Sequence, residues 1–60
     1  LKTNPRDANA YDSLGDYYLY TGDYDRAIAN YEKALELDPH LDISRQNIEL
    51  ALQKKRGIQK

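Results

Sequence analysis

The run GDYDRAIANYEKALELDP, from Gly22 to Pro39, decides the fold. Its apolar positions Ala27, Ile28, Tyr31, Ala34 and Leu35 make one uninterrupted helical stripe. Asp23 offers an N-cap, and Asp38 is pushed out of the helical region by the proline that follows, so a helix is predicted over 24–37. The two alanines leave room for the side chains of a facing helix. Leu1, Asn4 and Pro5 recur 34 places later as Leu35, Asp38 and Pro39. Self-similarity at such a period marks repeat architectures, in which each unit needs a neighbour to cover its apolar face.

Upstream of this run, Asp7 is an N-cap candidate for a helix from Ala8 to Tyr20 that Thr21-Gly22 ends. Tyr11, Leu14, Gly15 and Tyr18 fall on one face of it. A glycine inside a helix costs about 1 kcal/mol against alanine, so Gly15 predicts a second backbone approaching closely. The short Thr21-Gly22-Asp23 link makes the two helices an antiparallel hairpin. Downstream, a third helix is predicted from Leu41 to Arg56, stopping near Gly57, with Leu41, Ile48, Ala51 and Leu52 sharing a face. Lys54, Lys55 and Arg56 in its last turn complement the helix dipole. The prediction is all-α, with no strand.

Composition narrows the function. Sixty residues make one small domain or a piece of a larger one, and a chain of that size buries only about 60% of its unfolded surface. With no cysteine, neither a disulfide nor a cysteine metal site is available. A net charge of −1 gives no case for nucleic-acid or membrane binding, and no apolar run approaches the length of a membrane span. Charge is unevenly placed: eight acids and four bases through Asp38, then two acids and five bases. The chain opens on Leu1 rather than Met, which reads as a part of a longer chain whose upstream unit ends in 1–7. A soluble cytoplasmic setting is the default expectation, with a periplasmic one left open.

The residues resemble the tetratricopeptide repeat family over one full motif, Ala8 to Leu41. Tyr11 stands where the family has a large aromatic, Leu14-Gly15 and Tyr18 match its Leu-Gly and Tyr slots, and Ala27, Tyr31, Ala34 and Pro39 fill the remaining signature positions. The resemblance implies a helical hairpin that stacks in a superhelix, followed here by a capping helix, which divides the chain into 1–7, 8–41, 42–56 and a tail at 57–60. Where the first unit has Tyr11, Gly15 and Tyr18, the third helix has Arg45, Glu49 and Leu52, so its outer face is largely polar.

The resemblance also implies protein binding without catalysis, in a groove lined by Asn9, Asp12, Ser13, Asp16, Leu19 and Tyr20. Asp12 and Asp16, four apart on a helix, present two carboxylates on one face. They suggest either an acidic face for a basic peptide or an ordinary solvated surface. On the third helix, Ile43 and Leu50 form a second apolar edge with Asn47 between them, open to a partner, to self-association or to plain solvent. The protein-binding expectation therefore rests on Asn9, Asp12, Asp16, Tyr20, Ile43, Asn47 and Leu50. The alternative is a structural end-cap or self-associating element of a repeat array with no foreign ligand. No catalytic, cofactor or metal constellation is found: His40 is a lone loop histidine, and neither Ser13 nor Ser44 has a base at suggestive spacing. Binding of chaperone tails through a Lys and Asn clamp is disfavoured, because Asp12 and Asp16 fill clamp slots and would repel a carboxylate.

Overall fold

The computed structural model describes residues 7–58. Leu1 to Arg6, which carry the upstream echo, and residues 59 and 60 of the tail lie outside the described part. Three helices follow one another: α1 (Ala8–Thr21), α2 (Tyr24–Leu37) and α3 (Asp42–Ile58).

The local signals act as their chemistry requires. The Asp7 side chain accepts from the Asn9 amide at 3.0 Å and starts α1. Gly22 ends it in the left-handed region at φ 90°, where a side chain would be strained. There the Gly22 and Asp23 amides donate back to the carbonyls of Leu19 and Tyr18. Asp23 then accepts from the Arg26 amide and starts α2. Asp38, extended at φ −142°, stops α2, and its side chain accepts from the His40 amide in the turn to α3. Arg45 steadies that turn by donating to the Pro39 carbonyl at 2.8 Å and to Asp42.

Three boundaries differ from the sequence reading. α1 includes Thr21, whose hydroxyl donates to the Tyr18 carbonyl. α3 begins at Asp42 and runs through Gly57 to Ile58, so Gly57 does not end it. A helical glycine costs about 1 kcal/mol, which is too little to stop a helix without a left-handed turn or a following proline.

α2 is the middle element. It packs against both α1 and α3, which scarcely touch each other. Ala27, Tyr31 and Ala34 on α2 are fully buried, together with Ala51 and Ser44 on α3. Gly15 is the buried residue of α1. The expected backbone approach at Gly15 is corrected: a Cβ there would lie 2.5–2.8 Å from atoms of the Tyr31 ring. The glycine makes room for an aromatic side chain, not for a helix backbone. Leu14, placed by its spacing on the packing face, is 45% exposed, and Tyr17 beside it is 61% exposed. The Tyr17 and Tyr18 rings meet edge to face at 5.2 Å, and the Arg26 guanidinium lies 5.9 Å from the centre of the Tyr18 ring.

Candidate functional site

α1 and α3 flank α2 on two sides and run parallel, which leaves a seam between them. Polar side chains from α3 and from α2 hold the two carboxylates on its α1 side at two levels. Near its N-terminal end the buried Ser44 hydroxyl donates to the Asp12 carboxylate at 2.7 Å, and the Asn47 amide reaches the same oxygen at 3.4 Å. One turn further along α1, Asp16 accepts from the Tyr31 hydroxyl at 2.5 Å. Burial pushes the Tyr31 hydroxyl well above the usual phenol range. Its bond to Asp16 and the negative charges of Asp16 and Asp12 push it further.

These contacts turn two flexible carboxylates into oriented ones. Among the described residues, each accepts through one oxygen, and a carboxylate has a second oxygen able to accept from a further partner. Among the described residues neither carries an ion pair. The four pairs among the described residues are Arg26–Asp23, Lys33–Glu36, Arg45–Asp42 and Lys55–Asp25. Among the described residues, the negative charge at the seam is therefore held in place by hydrogen bonds and not by an ion pair.

Beyond Asp16 the seam widens into a cleft of about 490 Å³ lined by Asp16, Leu19, Tyr20, Tyr24 and Lys54. Tyr20 is 91% exposed and stands at its rim. The sequence-derived candidates fall in three places. Asp12 and Asn47 meet across the seam, and Asp16 and Tyr20 share the cleft. Ile43 and Leu50 are roughly half exposed on α3, and Asn9 is exposed in the first turn of α1; none of these three lines the cleft.

Two residues of this region escaped sequence reasoning. Ser44 lies three residues after Leu41 and four before Ile48, so it falls on the apolar stripe of α3. A hydroxyl in an apolar stripe signals a buried hydrogen bond, and that signal was available. Lys54 read as a helix-end charge that an acidic partner could also meet; its place in the cleft depends on how α3 is set against α1. Among the described residues, no three of His, Asp and Glu converge to hold a metal ion. No helix among them is long and apolar enough to cross a membrane.

A helical hairpin whose second helix is shared with a third, joined at these lengths, defines a unit of a helical repeat array. The tetratricopeptide repeat family model matches residues 8–41, more than half of the chain, and the protein belongs to that family. Repeats of this family generally mediate protein–protein interaction and are generally non-catalytic.

Three relatives show how widely the motif is used. The chain is 50% identical over 40 residues to cellulose synthase operon protein C of Escherichia coli K12, covering 67% of this chain and 4% of that protein. It is 44% identical over 39 residues to human superkiller complex protein 3, covering 65% of this chain and 2% of that protein. It is 50% identical over 38 residues to heat shock protein STI1 of Saccharomyces cerevisiae, covering 63% of this chain and 6% of that protein. The chain thus spans only a few per cent of the relatives it matches. No solved structure gives a significant match.

Proposed function

We propose that this chain is a non-enzymatic protein-interaction module whose α1–α3 seam offers a shallow acidic groove to a peptide or protein segment. The observation that carries the reading is the pair Asp12 and Asp16. Both are fixed by hydrogen bonds from Ser44, Asn47 and Tyr31, and neither is among the ion pairs of the described residues. Fixed charges lose little freedom when a ligand arrives, so a basic side chain gains more from them than from mobile surface acids. Tyr20 adds exposed aromatic area at low entropic cost. Asn9, Ile43, Asn47 and Leu50 complete the proposed contact set around the seam. One relative is named as a component of a complex, which agrees with an interaction role.

The test is a titration with a lysine-bearing peptide of the wild-type chain and of Asp12→Asn with Asp16→Asn. Asparagine keeps an acceptor for Ser44 and Tyr31 while removing the charge. Binding to the wild type that weakens with salt and falls in the double variant supports the groove. Equal binding by both proteins removes it.

A second reading has its own observation. Residues 34 places apart occupy matching sites, so Leu14 and Tyr17 correspond to Ile48 and Ala51, which belong to the face α3 buries. The same face of α1 stands open, as a structural or self-associating array element would have it. Sedimentation equilibrium over a hundredfold concentration range separates the two readings: a tight dimer favours self-association, and a monomer leaves the groove reading.

A further inference from the structure

Lys54 changes the character of the groove. It lines the same cleft as Asp16 and enters none of the four ion pairs of the described residues. The two residues that hold Asp12, Ser44 and Asn47, lie seven to ten positions before Lys54 on α3. At a helical rise of about 1.5 Å per residue, Lys54 stands about 10–15 Å further along the seam than Asp12. The groove therefore has an acidic end at Asp12, Asp16 further along, and a cation at Lys54 in the cleft that Tyr20 and Tyr24 also line.

We infer that the groove takes an extended segment carrying a lysine or arginine and, three or four residues away, an aspartate or glutamate. The basic group lies against Asp12 and Asp16, and the acidic group lies against Lys54. The spacing follows because an extended strand advances about 3.3 Å per residue, so three to four residues span 10–15 Å. A segment with bases at both ends meets Lys54 with like charge, and one with acids at both ends meets Asp12 and Asp16. The bipolar groove thus rejects partners as well as selecting them. This inference rests on the groove reading above, and it adds the second charge and the separation.

The experiment is an amide chemical-shift titration of the 60-residue chain with three octapeptides, GSKLAEGS, GSKLAQGS and GSKLAKGS. On the wild type, the Lys/Glu peptide should bind about fivefold tighter than the Lys/Gln peptide, the factor an exposed charge pair supplies. In Lys54→Glu, the order should invert in favour of the two-lysine peptide. Because Lys54 is exposed, that substitution leaves the core intact, and the peptide exchange alone repeats the test without touching the protein. If the Lys/Gln peptide binds but neither the glutamate nor Lys54 alters its affinity, the bipolar inference falls and the acidic groove stands. If no peptide shifts the amides around Asp12 and Asp16, the groove reading falls and takes this inference with it.

Discussion

The Tyr31 ring occupies the space that a side chain at Gly15 would need. The nearest ring atom lies 2.5 Å from where a Cβ would stand, closer than real Cβ contacts come. The ring cannot swing clear, because Tyr31 is fully buried and its hydroxyl is tied to Asp16. Gly15→Ala, normally a gain of about 1 kcal/mol inside a helix, should here destabilise by about 1–3 kcal/mol through overpacking. Thermal melts followed by circular dichroism decide it; an alanine variant that melts higher than the wild type would show that the ring yields.

Tyr31 also sets an alkaline limit on stability. Its folded-state ionisation is shifted upward, so the neutral hydroxyl is favoured in the folded chain. That contribution is fully present below the unfolded phenol value of about 10 and is lost as pH rises above it. Denaturant unfolding at pH 8 and pH 11 should therefore show a larger loss for wild type than for Tyr31→Phe. The other tyrosines and the lysines are common to both proteins and cancel in the difference. Equal losses would mean that the Tyr31 environment does not favour the neutral form.

The Ser44–Asp12 bond joins helices whose backbones barely meet. A double-mutant cycle with Ser44→Ala and Asp12→Ala should give a coupling of about 1.5–3 kcal/mol, as expected for a hydrogen bond to a charged acceptor. Ser44→Ala alone should weaken the docking of α3 more than that of the hairpin, visible as faster amide exchange in α3. A coupling indistinguishable from zero would assign Asp12 to solvent.

The Lys55–Asp25 pair offers a contrast. Its side chains are 46% and 75% exposed, although the contact is 2.7 Å and links α3 to the first turn of α2. Lys55→Gln should cost less than about 1 kcal/mol, a difference that shrinks further in salt. A larger loss, insensitive to salt, would point to packing of the lysine stem instead.

The sequence made the helices legible because their ends are local chemistry. Asp7 and Asp23 cap within their own first turns, Gly22 takes a left-handed turn, and Pro39 forces Asp38 out of the helix. Tyr31, Ala27 and Ala34 were readable as core from spacing alone, and they are fully buried. What faces Gly15, what Ser44 bonds and where Lys54 points were not readable. Each depends on the rotation and axial offset of one helix against another, quantities that no single stretch encodes. Leu14 shows the converse: its spacing marks a packing face, and that face of α1 is left open.

α2 serves two neighbours while α1 and α3 remain nearly strangers. A core so arranged has no centre; its burial is distributed along a line of adjacent pairs. Such a chain can change length by gaining or losing whole helix pairs at the register of 34 residues, and every surviving contact keeps its partner. Duplication then alters the extent of the recognition surface without any need to redesign the interior.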